Sequence, residues 1–148
     1  MNFLNIDNKE FNLTKFKDKN ILICNTASKC GFANQLNLLQ ELKKRYPNLV
    51  IICIPSSSFL NQEHSAKKLC SIVNKANYDF IFTQKYQVIG KNRHPFFKKV
   101  QSDLGFLATP KWNYYKYIIN KNGDLVKYFT SFTKPNSKKV TKYLDSLI

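Results

Sequence analysis

The chain has 148 residues, 43% apolar and 14% aromatic, which excludes a disordered segment and suits one compact domain, 1–148, whose core needs no disulfide staples. Its formal charge of +15 rests on 24 basic residues, of which only Arg45 and Arg93 are arginine, and the lysines are scattered, with pairs at 43/44, 67/68, 98/99 and 138/139. Specific nucleic-acid readers rely on the bidentate Arg fork, so this pattern excludes a specific nucleic-acid partner and leaves a general attraction to anions, including weak contact with anionic membrane surfaces.

Residues 1–12 mix Asp, Asn and Lys with single apolar residues, which provides no signal-peptide core, and no apolar run reaches the ~20 residues that span a bilayer. The expectation is a soluble, cytoplasmic protein. Residues 20–26 (NILICNT) form a short run rich in Ile and Leu, read as a buried strand. After SKCGFA, Leu36, Leu39, Leu42 and Tyr46 recur at helical spacing, and Pro47 ends that helix. Residues 49–54 (LVIICI) are a second buried strand, broken by Pro55 and three serines. A strand, a helix and a strand of these lengths make a parallel, right-handed β-α-β unit.

Residues 65–73 suit a second helix, 80–82 are too short to assign, and His94-Pro95 opens a third helix with Phe96, Phe97 and Val100 as its apolar members. Residues 114–119 and 125–129 flank Asn122-Gly123, a hairpin signal. Val140, Leu144, Leu147 and Ile148 then repeat on one face of a final helix, with Asn136 or Ser137 as its N-cap. A β-α-β half, a connecting helix and a β-β-α half is the order of an α/β thioredoxin-like fold, a central mixed β-sheet flanked by helices.

The four cysteines, Cys24, Cys30, Cys53 and Cys70, form no C-x-x-C pair, and a reducing compartment permits a transient disulfide rather than a lasting one. Cys24 and Cys53 lie inside the apolar strands and read as core. Cys30 lies between a strand and a helix, beside Gly31 and Ala33. A thiol at a helix N-terminus meets unpaired N–H groups and the positive end of the helix dipole, which favour the nucleophilic thiolate. The competing reading is a buried, inert thiol. His64 and His94 lack partners at metal-ligand spacing and read as structural; no metal, flavin, haem or nucleotide motif is present.

Around Cys30, NTASKCGF at 25–32 resembles the nucleophile motif of glutathione peroxidases, including those with Cys in place of selenocysteine. FLNQE at 59–63, HPFFK at 94–98, KWNYYKYIINKNG at 111–123 and FTKP at 132–135 are similar, in order, to further motifs of that family. The resemblance implies that Cys30 is the peroxidatic residue, with Trp112 and Asn113 as hydrogen-bond donors beside it. An indole N–H and an amide can stabilise a thiolate and a leaving oxygen without competing as nucleophiles. One departure stands out: IPSSSF at 54–59 places Ser58 where the family has the Gln of its catalytic tetrad. The segment KKLCSIVNKANYDFIF is similar to the family's resolving segment and makes Cys70 the resolving thiol.

By the same resemblance the substrate is hydrogen peroxide or an organic or lipid hydroperoxide, the reductant is thioredoxin or glutathione, no cofactor is needed, and the short connection from His94 to Trp112 suits a monomer. Two other functions compete: a peroxide-sensing relay that passes its disulfide to a partner and tolerates the slower chemistry of Ser58, and a binding module with an inert Cys30.

Overall fold

The computed structural model describes residues 1–60 and 64–148, with Ala66 described by its backbone. Asn61, Gln62 and Glu63 of the FLNQE stretch therefore lie outside the described residues. The elements run β1 (Asn2–Leu4), β2 (Glu10–Asn12), a 3-10 turn (Leu13–Phe16), β3 (Ile21–Thr26), α1 (Gln35–Arg45), β4 (Val50–Pro55), α2 (Ala66–Ala76), β5 (Ile81–Phe82), α3 (Pro95–Leu104), a second 3-10 turn (Phe106–Ala108), β6 (Lys116–Ile119), β7 (Leu125–Phe129) and α4 (Lys138–Ser146).

Five strands form one mixed sheet in the order β5-β4-β3-β6-β7. The apolar runs of β3 and β4 pair in parallel, with Thr26 opposite Pro55, and β6 runs antiparallel to β3, with Lys116 opposite Cys24. Strand alternation divides the side chains between two cores. Leu22, Cys24, Ile51, Cys53 and Ile118 meet Leu36, Leu39 and Leu42 of α1 and Val140 and Leu144 of α4 on one face. Ile21, Ile23, Ile52, Ile54 and Tyr117 meet Phe96, Phe97 and Val100 of α3 on the other.

Three details depart from the sequence expectations. An N-terminal hairpin, β1 with β2, pairs Phe3 with Phe11 and covers the second core. Strand β6 begins at Lys116 rather than 114, because Tyr114 takes a left-handed φ of 67°. The hairpin after β6 is bridged by Asn120 Oδ1, which accepts from the N–H groups of Asn122 and Asp124. Gly123 alone takes a positive φ there, 85°. That is the geometry of a longer turn with glycine in the left-handed position, not of a two-residue primed turn.

Candidate active site

Parallel strands β3 and β4 end together, and antiparallel β6 begins beside them, so the loops carrying Cys30, Ser58 and Trp112-Asn113 emerge at one end of the sheet. The backbone stitches them there. Ser56 N–H donates to Thr26 O at 3.0 Å, and Tyr114 N–H donates to Asn25 O at 2.6 Å. Asn25 Nδ2 donates to Trp112 O at 3.1 Å, and Tyr114 OH donates to Ala27 O at 3.1 Å. The left-handed Tyr114 is thus held at its N–H and at its hydroxyl, the kind of support a non-glycine residue in that conformation requires.

Cys30 is nearly buried, 6% exposed, in a chain of tight turns. Its N–H donates to Ala27 O and its carbonyl accepts from Ala33 N–H. Helix α1 begins only at Gln35, so Cys30 precedes the first helical turn instead of occupying it. Among the described residues, the hydrogen-bond donor that reaches Cys30 Sγ is the Phe32 N–H, at 3.5 Å. A turn amide, not the helix end, points at the sulfur.

Trp112 is half-buried and packs against both cores, with its ring 5.5 Å from that of Phe59. Asn113 is fully buried, and its carbonyl accepts from Ser131 Oγ. Ser58 is turned elsewhere: its hydroxyl accepts from Val88 N–H at 3.1 Å and from Ser56 Oγ at 2.8 Å, and donates to Gln87 Oε1 at 3.4 Å. It braces the segment around 87–88, while the buried Oγ of the adjacent Ser57 meets no hydrogen-bond partner among the described residues.

Cys70 lies half-buried on α2, where Asn74 Nδ2 donates to its sulfur at 3.6 Å. All four cysteines are free thiols. Cys24 and Cys53 are fully buried register partners, and burial pushes the Cys24 thiol up to about 12, which keeps it protonated and unreactive. Among the described residues no cluster could hold a metal ion, and no helix is long and apolar enough to cross a membrane. His94 is the N-cap of α3 through its ring nitrogen.

Two features were missed from sequence. Ser28 Oγ and His64 Nδ1 form a hydrogen bond that ties the segment after β4 to the Cys30 turn; 36 residues separate them, and no spacing rule flags such a pair. Lys116 is fully buried, donates to Gln35 Oε1 at 2.7 Å and Tyr114 O at 2.6 Å, and is lowered by desolvation to about 8.

A nearly buried thiol facing a turn amide, with an indole and an amide carried on the neighbouring loop, suits nucleophilic sulfur chemistry on an O–O or S–S bond. Comparison with known proteins gives a consistent picture. A family model described as Glutathione peroxidase matches residues 1–101. The chain is 38% identical over 137 residues to the glutathione peroxidase homolog BsaA of Bacillus subtilis, covering 88% of this chain and 86% of that protein. It is 31% identical over 145 residues to the hydroperoxy fatty acid reductase gpx1 of Synechocystis sp., covering 88% and 85%. The crystal structure of Trgpx in apo form superposes with a TM-score of 0.75 at 26% identity, covering 99% of this chain and 92% of that one.

Proposed function

The chain belongs to the glutathione peroxidase family and is a thioredoxin-fold peroxidase, and from that premise we propose that Cys30 is its peroxidatic residue, Cys70 its resolving residue, and Trp112 and Asn113 the donors that serve the reaction. The observation that carries this reading is the convergence of the Cys30 turn and the Trp112-Asn113 loop on the Asn25 and Ala27 backbone.

In the proposed cycle the Cys30 thiolate attacks one peroxide oxygen. An S–O bond forms, the O–O bond breaks, and the departing oxygen leaves as an alcohol or water after taking a proton. Cys30 is then a sulfenic acid. The Cys70 thiol condenses with it, forming the S–S bond and releasing water. A dithiol such as thioredoxin, or glutathione in its place, returns both thiols and is itself oxidised to a disulfide. Cys70 sits within a formed helix, and a disulfide needs Cα atoms within about 7 Å, so the proposed cycle includes local opening of α2 wherever the folded helix holds Cys70 farther than that from Cys30.

We read residues 1–148 as one domain that acts as a monomer, in a reducing compartment such as the cytoplasm, where a disulfide between its thiols is transient. Apolar side chains stand exposed beside the site: Phe132, 84% exposed with its ring 5.5 Å from that of Phe32, and Leu60 next to Phe59. Together with the +15 charge, they support an acyl hydroperoxide with an anionic head as a substrate; rates insensitive to salt, and equal for hydrogen peroxide and lipid hydroperoxide, would count against it.

The test is turnover of Cys30→Ser and mass spectrometry of the peroxide-treated chain. Loss of turnover and a 30-to-70 disulfide are expected; full turnover without Cys30 overturns the reading. The placement of the Ser58 hydroxyl on Gln87 and Val88 favours a second reading, a slow relay. A partner protein trapped as a mixed disulfide by Cys70→Ser would support it, and fast multiple turnover with thioredoxin would weigh against it.

A further inference from the structure

Lys116 is 0% exposed, and among the described residues no carboxylate meets its ammonium. Its partners are dipoles: Gln35 Oε1 at 2.7 Å and Tyr114 O at 2.6 Å. Gln35 continues the chain, its Nε2 donating to Ser131 O at 2.6 Å, and Ser131 Oγ donates to Asn113 O. Because Asn113 and Tyr114 are adjacent, the bonds close into a ring. One side of that ring is the start of α1, reached directly from the Cys30 turn; the other is the loop that carries Trp112 and Asn113.

We propose that Lys116 is a positioning residue for the peroxidatic reaction, its ammonium clamping the start of α1 to the 112–114 loop so that Asn113 and the Cys30 turn stay in register. The inference rests on Cys30 being the peroxidatic residue. A buried ammonium is costly to desolvate, and an apolar side chain of the same length would fill the space without that cost. The charge is therefore retained for what it holds. Two charge-assisted bonds fix the loop more firmly than neutral ones, and a left-handed Tyr114 needs such fixing.

The clamp is also sensitive to pH. The titratable group facing Lys116 is its register partner Cys24 on β3, which stays a neutral thiol; α1 presents Gln35, β7 presents Phe129, and the loops present the Tyr114 carbonyl and, through Gln35, Ser131. Desolvation lowers the Lys116 ammonium to about 8, so mild alkali neutralises the clamp while the rest of the ring remains as it is.

Trp112 is the only tryptophan, so intrinsic fluorescence reports on this loop. In a Cys30→Ser background, which removes Cys30 ionisation, the emission should change in one step near pH 8 and that step should vanish in Cys30→Ser/Lys116→Met. In the chain that retains Cys30, Lys116→Met should slow single-turnover oxidation by hydrogen peroxide on the order of tenfold, remove the alkaline fall in rate, and leave the KM for the reductant unmoved. If Lys116→Met does not fold, Gln35→Met opens the ring with the ammonium in place, and the same slowing at unchanged KM is required. A Trp112 titration identical with and without Lys116, or oxidation within about twofold of the parent in the folded variant, overturns the proposal. Turnover retained in Cys30→Ser would instead overturn the reading of Cys30, while the Trp112 titration would still report on the clamp.

Discussion

Cys24 on β3 and Lys116 on β6 face each other as register partners in the middle of the sheet, both with no exposed surface. Burial acts on them in opposite senses: the thiol rises from 9.0 to about 12 and the ammonium falls from 10.5 to about 8. Each is thereby held neutral over a wider range, the thiol by keeping its proton and the amine by losing one sooner.

Stability should follow these shifts with a definite sign. Between about pH 8 and 10.5 the unfolded chain binds a proton at Lys116 that the folded chain has released, so stability rises with pH. Between 9.0 and about 12 the folded chain keeps a proton on Cys24 that the unfolded chain has lost, so stability falls. The window from 8 to 9 isolates the lysine. Urea unfolding there should show the parent gaining up to about 1.4 kcal/mol per pH unit relative to Lys116→Met; parallel profiles would rule out the buried ammonium.

His94 should govern the acid side. Its ring stacks on Phe3 at 4.1 Å, Nδ1 accepts from Phe96 N–H at 3.0 Å, and Nε2 lies 2.9 Å from Asn2 O. That arrangement demands the neutral tautomer with the proton on Nε2. Desolvation lowers the ring below its ordinary 6.5, and the nearby amino terminus adds to the effect. The contribution is complete above 6.5 and is lost as pH falls through the lower folded value, where a proton on Nδ1 would confront the Phe96 N–H. Thermal unfolding of His94→Asn, which keeps a capping acceptor, should lose this acid dependence; an unchanged slope would refute the assignment.

How far the sequence led depended on the range of the interaction. The runs of β3 and β4, the Leu36, Leu39 and Leu42 stripe of α1 and the Pro95 start of α3 are local patterns, and each became the expected element. Strands β1 and β2, of three residues each, are too short for alternation to show. Gly31 to Asn34 could have been the first turn of α1 and proved to be successive tight turns, a choice that packing rather than propensity makes. Lys116 was hidden by a sound prior, since lysine is seldom fully buried. The clue was strand alternation, which sends Lys116 to the same face as Ile118 and Cys24.

Resolution by Cys70 should be limited by the opening of α2. The helix is capped by Ser65 Oγ on Lys68 N–H and ends at Asn77 in a left-handed conformation with φ 52°, and Leu69 anchors it, 3% exposed. Leu69→Ala should weaken that anchor by about 2–5 kcal/mol. Disulfide formation after peroxide, followed by quenched mass spectrometry, should then accelerate more than about tenfold, with hydrogen exchange of 66–76 rising in step. An unchanged rate would show that Cys70 reaches Cys30 without helix opening, or does not reach it.

Ser58 should prove to be a structural brace at the position where, by the resemblance of 54–59, the family would place a donor. Its hydroxyl accepts from Val88 N–H and Ser56 Oγ and donates to Gln87 Oε1, so Ser58→Ala should cost about 1 kcal/mol of stability and leave the oxidation of Cys30 nearly unaffected. Ser58→Gln makes the same sacrifice at Val88 but supplies an amide with two donors and a longer reach. If the missing donor limits the chemistry, the single-turnover rate with hydrogen peroxide should rise, by up to about a hundredfold, as expected when a positioned donor meets developing charge. Stopped-flow Trp112 fluorescence separates the outcomes. A faster Ser58→Gln with a near-parental Ser58→Ala means that this chain runs its peroxidase chemistry one donor short; equal slowing of both would mean that the Ser58 hydroxyl itself serves Cys30.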